Sequence, residues 1–289
     1  MVSARRHGAR AMVPIVRRPT VNLVKYYDLI GGYVEWIIAN RALQAIVQDS
    51  GGVRIVRKVN GREIKPSGKG DLVALAAQGA LDFMVSVKPM GGQGVDLLIL
   101  DIKAKPNIFG DPRGDTILHI ASNAARLALT YVGLNSVLMY FDGMNGFKVM
   151  AKVKPEYAPS QEYASRLLKI LADAVIRSVK RFTEYRDLMD SIIVGVNTVT
   201  KIKAVRIPLS IHWSTKLSAI PIPGYCVKNF SLISAEPVKV LEEVELYGPL
   251  ARVDDGVLDP GILKAIDEDP YGLLYSIKAH ILGNIRVGC

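Results

Sequence analysis

Gly94-Val95-Asp96-Leu97-Leu98-Ile99-Leu100-Asp101-Ile102-Lys103-Ala104-Lys105 is the stretch on which the reading of the fold turns. Its centre, Asp96 to Ile102, is a short aliphatic run, with the composition and length of a strand buried on both faces. A loop with Pro106, Gly110 and Pro112 follows. Asp115 then stands as the N-cap of a helix expected to reach about Tyr131. Ser136 to Phe141 reads as a second buried strand ending at Asp142-Gly143, and Phe147 to Val153 alternates as a third. The strand–turn–strand over 136–153 is the clearest hairpin in the chain.

Working outward, the apolar spacing from Leu23 to Val47 is helical, interrupted by Gly31-Gly32. Val53 to Val59 alternates like an edge strand, and Asn60-Gly61 is a hairpin turn signal. Gly91-Gly92-Gln93-Gly94 precedes a strand instead of following one, so it reads as a turn and not a phosphate cradle. Ser160 to about Met189 predicts a long amphipathic helix with Tyr163, Leu167, Leu171, Ala174 and Val175 on one stripe. Ile192 to Ile211, rich in β-branched residues, should supply strands. Asp259-Pro260 and Asp269-Pro270 each read as an N-cap followed by proline at the first helical position. Hairpins and helices are mixed, so the class is α+β. The expected divisions are a basic flexible arm over 1–20, an α/β core over 21–235 with a helical insertion at about 160–190, and a helical C-terminal extension over 236–289.

The chain has 289 residues, and its 37 Lys and Arg against 27 Asp and Glu leave a net charge of +10, which favours a polyanionic partner. Five arginines lie in the first twenty residues, where they form either a solvated arm or one that grips phosphates. Cys226 and Cys289 are far apart, with no Cys-x-x-Cys spacing and no Cys/His cluster in sequence. Neither a structural zinc site nor a disulfide framework is therefore expected. His7, His119 and His280 sit alone and read as structural groups. No apolar run approaches the roughly 18–20 residues that span a bilayer, and no apolar leader follows the N-terminal arginines. A soluble, cytoplasmic protein with no membrane partner is expected. Gly-x-Ser-x-Gly and Gly-x-x-x-x-Gly-Lys-Ser/Thr are both missing from the sequence.

Two further segments join the opening one. Tyr140-Phe141-Asp142-Gly143-Met144-Asn145-Gly146-Phe147-Lys148-Val149 spans the hairpin, and Val205-Arg206-Ile207-Pro208-Leu209-Ser210-Ile211-His212-Trp213-Ser214-Thr215-Lys216-Leu217 lies downstream. In this order the three resemble the motifs of the archaeo-eukaryotic DNA primase small (catalytic) subunit family. That family has a strand ending in Asp-x-Asp, a Ser-Gly-x-x-Gly-x-His hairpin, and a later Arg-x-Pro-x-Ser-Leu-His-x-Lys-Thr segment preceded by a third Asp. Asn40-Arg41-Ala42 resembles the family's Arg-Glu segment, and Asp82 to Pro89 resembles the stretch before the first motif. The resemblance covers roughly 23–220. It implies a primase-like core, an RRM-like sheet plus an N-terminal α/β module, with DNA or another nucleic acid and a primase large subunit as partners.

The departures bear on chemistry. The family's aspartates hold two divalent metals for phosphoryl transfer. Here Asp101 is the one retained acid of the first motif, Lys103 stands at the second aspartate position, and Lys105 follows on the same strand face. Asp142 and Lys148 stand at the family's hairpin serine and histidine, while Gly143, Gly146 and Phe147 match. Arg206, Pro208, Ser210, His212 and Thr215 match, but Ser214 stands at the family lysine. Between Ser191 and Ala235 there is no acid, and Asn197-Thr198-Val199-Thr200-Lys201 occupies the place of the third aspartate. The cysteine zinc cluster of many archaeal members is also missing. One carboxylate beside two ammoniums does not suit Mg²⁺, so no metal and no cofactor is expected.

Lys103, Lys105, Lys148, Asp101 and Asp142 then either pair internally or contribute to direct phosphate binding. In the second case Gly143, Asn145, Gly146, Arg206, Ser210, His212 and Thr215 complete the nucleotide contacts. The leading expectation is an inactive, nucleic-acid-binding relative in replication or repair. The first alternative is an active divergent primase or polymerase using Mg²⁺ or Mn²⁺ at Asp101, Asp142 and a displaced Asp190. The second is an RRM-like module, for which the strands offer only Phe147 and Tyr140 as stacking aromatics.

Overall fold

Residues 21–49, 52–59, 61–105 and 108–289 are described by the structure, a computed structural model. The basic arm, Asn60 of the hairpin signal and Pro106 of the first loop lie outside them. Asn22 caps α1 (Leu23–Ile38) by accepting the Lys25 N–H at 3.0 Å. The helix runs through Gly31-Gly32 instead of breaking there. Gly31 is where a second helix, α2 (Lys69–Ala77), presses closest, and a Cβ at Gly31 would stand 2.5 Å from the Lys69 Cβ. The glycine therefore serves helix packing. Asn40, at φ 57°, turns the chain, and Leu43–Asp49 forms β1. The helix expected to reach Val47 is thus shortened by a left-handed residue that reads as ordinary in the apolar pattern.

β1 begins a four-stranded antiparallel sheet. Its neighbours are β2 (Gly52–Val56) at the edge, as the alternation predicts, and β5 (Ala80–Ser86) on the other side. Between them in sequence, β3 (Lys58–Val59) and β4 (Arg62–Glu63) form a small hairpin around Gly61, which has φ 76°. The first motif is β6 (Leu97–Ala104), the central strand of a second sheet and buried except at Lys103. It is followed by α3 (Pro112–Tyr131), β7 (Val137–Phe141) and β8 (Gly146–Val153), with β7 and β8 in the expected hairpin register. Next come α4 (Gln161–Val179), β9 (Ile192–Gly195) and β10 (Ala204–Arg206). β9 flanks β6 in the second sheet, whereas β10 crosses to pair with β5 in the first.

The remaining elements are α5 (Pro237–Glu242), α6 (Val244–Leu250), β11 (Asp255–Gly256), α7 (Pro260–Glu268) and α8 (Pro270–Asn284). Asp259 and Asp269 cap α7 and α8 as expected. α1 and α2 cover the first sheet, α3 and α4 cover the second, and α8 packs across α3 and α4.

Two further helix ends differ from the sequence expectation. α3 is capped by Asp111, which accepts the Arg113 N–H at 2.8 Å, because Pro112 takes the first helical position. Asp115 sits within the first turn. α4 stops at Val179 and passes into tighter turns over Thr183–Ser191, where no residue is buried. Phe182, Tyr185, Leu188 and Met189 still pack against the core there, but Tyr185 leaves helical φ/ψ and breaks the run.

The cysteine expectation is overturned. Cys226 and Cys289, 63 positions apart in sequence, form a disulfide with Cα atoms 5.7 Å apart. α8 folds back along α3 and carries the end of the chain to Cys226, so sequence distance was a poor guide. His119, expected to stand alone, lies beside the pair. No helix among the described residues is long and apolar enough to cross a membrane.

Closing a loop of this length restricts the unfolded chain. Cys226→Ser, or reduction in chelator-treated buffer, is expected to lower stability by about 2–4 kcal/mol. Urea unfolding of the oxidised and reduced protein checks this, and coincident curves would count against a cross-linking role.

Candidate functional site

β6 lies between β8 and β9, so Asp101 has Lys148 opposite it on one side and Gly195 on the other. Directly opposed residues share a sheet face. Lys148 Nζ makes a close ion pair with the Asp101 carboxylate, and both side chains are nearly excluded from solvent. Thr198 completes the group. A short π-helical turn over Thr198–Ile202 brings its hydroxyl to 2.7 Å and 2.8 Å from the two carboxylate oxygens, and its N–H to 3.1 Å from Oδ2. The lysine also reaches the Thr198 hydroxyl at 3.0 Å. Burial alone would raise the Asp101 carboxyl, but the Lys148 ammonium and the Thr198 hydrogen bonds outweigh it and hold it below the usual range. The threonine stands in the segment where the family resemblance requires a third aspartate.

The donor set does not fit the two divalent ions of that family. A hard ion needs several oxygen ligands, and here an ammonium takes the space beside a single carboxylate. Among the described residues, no second and third acid join Asp101 in a three-ligand group. The trio of Asp101, Asp142 and Asp190 does not form. Asp142 is consumed by its own turn. Asp190 lies beyond the register pair of Ala104 with Ile192, which is itself about 10 Å along the strand from Asp101. No step of phosphoryl transfer is derived through a metal at this position.

A second group forms where the β7–β8 turn meets the third motif. Asp142 Oδ1 accepts three successive N–H groups, from Met144 at 2.8 Å, Asn145 at 3.1 Å and Gly146 at 3.2 Å. Gly143 has φ 81°, and a Cβ there would meet the His212 Cβ at 2.9 Å. A Cβ at Gly146 would stand 2.3 Å from the Ile102 carbonyl oxygen. Both glycines are required by the backbone. Thr215 donates its hydroxyl to the Gly143 carbonyl, which ties the two loops. Asn145 bonds the Ala104 carbonyl at 3.4 Å through its amide.

Arg206 grips Asp82 through two bonds, at 2.7 Å and 2.9 Å, and donates to the Asp142 carbonyl at 2.7 Å. It is a brace between β5, β10 and the turn, its donors turned inward. Tyr140 links the two groups, for it faces Lys148 across the β7–β8 ladder and donates to the Arg206 carbonyl at 3.0 Å. His212 is buried, and its Nδ1 accepts from the N–H groups of Ser214 and Thr215, each at 3.2 Å. Desolvation, reinforced by Arg206, pushes its imidazole down to about 4. Ser210 is elsewhere: it accepts the Phe83 N–H at 2.8 Å beneath the first sheet and points to no ligand.

Lys103 and Lys105 are exposed at the open end of β6, and neither pairs with a carboxylate among the described residues. The expected pairing thus holds for Lys148 alone. Phe147 and Tyr140, the aromatics of the RRM-like reading, are buried and offer no stacking surface. Phe147 belongs to a ring cluster with Phe109, Phe141 and Phe230. Three residues escaped the sequence reading. Thr198 and Asp82 are defined by contacts more than ninety residues apart in sequence, which no local pattern reveals. Trp213 is different. It is partly exposed beside His212, its ring stacked at 6.1 Å, and a tryptophan inside a polar motif was a usable signal.

No protein-family model matches the chain, and no curated protein sequence does. Among solved structures, the chain is similar to the polymerase domain from Mycobacterium tuberculosis ligase D in complex with DNA. The TM-score is 0.54 at 14% identity, over 89% of this chain and 91% of that one. The likeness is one of fold: both are mixed α+β arrangements.

Removing the counter-charge should be severe. Lys148→Met leaves Asp101 buried and unpaired and is expected to cost about 3–5 kcal/mol, while adding Asp101→Leu recovers most of the loss. Denaturant unfolding of the three proteins decides it, and an additive double variant would contradict the pairing. The pH dependence follows from His212. The unfolded side chain protonates near 6.5 and the folded one near 4, so the unfolded chain binds the extra proton between them. Stability should fall as pH drops through that window, and His212→Asn should flatten the slope. The Asp101 contribution, present above about pH 4, is lost only as the pH falls further.

Proposed function

We propose that this protein binds nucleic acid on a primase-polymerase scaffold without transferring nucleotides itself, as an accessory subunit or paralogue in replication or repair. The observation that carries the reading is Lys148 seated on Asp101, with Thr198 closing the other side. A carboxylate held by an ammonium and by the Thr198 hydroxyl and N–H is poorly placed to recruit the ions that activate a primer hydroxyl. The scaffold's other uses survive. Lys103 and Lys105 present point charges suited to phosphates, and Trp213 offers a partly exposed indole face in the third motif. The net charge of +10 agrees with a polyanionic partner, and the fold is similar to that of a polymerase domain crystallised with DNA.

Two measurements test it. Primer extension and initiation with Mg²⁺ or Mn²⁺ should give no product, and an incorporation activity abolished by Asp101→Ala would overturn the inactive reading. Binding to single-stranded and double-stranded DNA should weaken with salt. Lys103→Glu with Lys105→Glu should lower the log–log salt slope by about 1–2, since each lysine neutralises one phosphate. Trp213→Ala should weaken single-strand binding by about 1–3 kcal/mol, as loss of a stacking platform does. Unchanged affinity in both sets of variants would remove this face as the interface.

A further inference from the structure

His119 lies within α3, Cys226 follows the tight turn Pro223–Tyr225, and Cys289 lies beyond α8. The fold brings an imidazole nitrogen and two sulfurs from these three segments within 4.8 Å of one another. They include both cysteines of the chain, and no other such group of three metal-ligating side chains converges among the described residues. Two thiolates and a histidine suit a borderline-soft ion of the zinc class, which takes sulfur at about 2.3 Å and imidazole nitrogen at about 2.0 Å. Tetrahedral geometry then places the ligand atoms about 3.4–3.8 Å apart. The two sulfurs need only part from a bond of about 2.0 Å, which rotation about their Cα–Cβ bonds supplies.

The surroundings match a ligand site. His119 and Cys226 are buried, whereas Cys289 is exposed. A cavity of about 180 Å³, lined by His119, Asn123, Tyr225 and Cys289 with Arg126 and Arg286 at its wall, adjoins the three groups; the two guanidiniums favour the doubly anionic thiolate pair and an anionic or solvent fourth ligand. Asn123 Nδ2 stands 3.1 Å and 3.3 Å from the two ring nitrogens and 3.3 Å from the Tyr225 carbonyl oxygen. It thus holds the ring against the segment that carries Cys226. The Gly288 backbone also bonds the ring, so an ion would take the place of one of these two partners and leave the other as the outer partner usual in histidine metal sites.

We propose that His119, Cys226 and Cys289 of the reduced chain bind one zinc-class ion, and that forming the Cys226–Cys289 disulfide releases it. On loading, each thiol gives up its proton to become a thiolate ligand, so two protons leave as the ion enters. On oxidation, the two sulfurs join and pass two electrons to a small-molecule disulfide. That acceptor takes up two protons, leaves as two thiols, and the ion is freed. Either state ties the segment after α8 to the segment that carries Cys226, by a covalent bond in one and through the ion in the other.

The test uses the full chain, reduced with a phosphine, desalted without oxygen and titrated with cobalt(II) as a spectroscopic stand-in for zinc. A thiolate-to-cobalt charge-transfer band and the visible bands of a tetrahedral ion should saturate at one equivalent per chain. Zinc should bleach them, and oxidised glutathione should abolish them in step with disulfide formation. Cys289→Ser, which changes an exposed side chain, and His119→Gln should each weaken binding by at least roughly tenfold, a loss that even outer partners produce. Circular dichroism confirms that each variant is folded. Reduced wild-type protein that gives no such bands, or a folded Cys289→Ser variant that gives them undiminished, overturns the site and leaves the disulfide as a structural cross-link only.

Discussion

A carboxylate in the middle of a buried strand has to be neutralised, and the way Asp101 is neutralised governs the centre of this molecule. The aliphatic run of β6 places the acid between two strands with no route to water. Desolvating an isolated charge costs several kcal/mol, so a partner must arrive with good geometry. Lys148 comes from β8, directly across the ladder, and Thr198 from the turn after β9. The strands that shape the sheet, with the turn after β9, therefore also satisfy the acid at its centre. The position of β9, the turn at Thr198 and the orientation of Tyr140 all follow from that requirement.

Around this centre, charge also joins the two sheets. Arg206 extends from β10 in the first sheet, braced by Asp82, to the turn that closes β7 and β8 in the second. Arg41, just before β1, pairs with Asp96 at the start of β6, both buried. Each link crosses between layers that hydrophobic contact alone would hold without a fixed offset. Breaking either should be felt as a loosened relation between the hairpin turn and the His212 loop, because Gly143 and Thr215 meet there at backbone distance.

Much of this was legible in the residues. The period-two and aliphatic runs marked β6, β7, β8 and the edge strand, and the Asp-Pro pairs marked α7 and α8. Lysines at 103 and 148, set around Asp101 on neighbouring strands, already pointed to internal charge pairing, which Lys148 makes. What escaped the sequence was set by tertiary contact. The end of α1 depends on a left-handed Asn40, and the start of α3 on Pro112 outranking Asp115. Cys226 and Cys289 meet only because α8 returns along α3. Arg206 and Ser210 look like ligand contacts in a motif and prove to be internal braces, since a motif records residue types and not the direction in which side chains point.

The closure around Asp101 also constrains what substitution can do at this centre. An ion site there would require Lys148 and Thr198 to change together, because both are coupled through one carboxylate. Replacing Lys148 first strands a buried charge, and adding an acid at Thr198 first sets like charges side by side. Each single step therefore descends in stability before an ion could compensate.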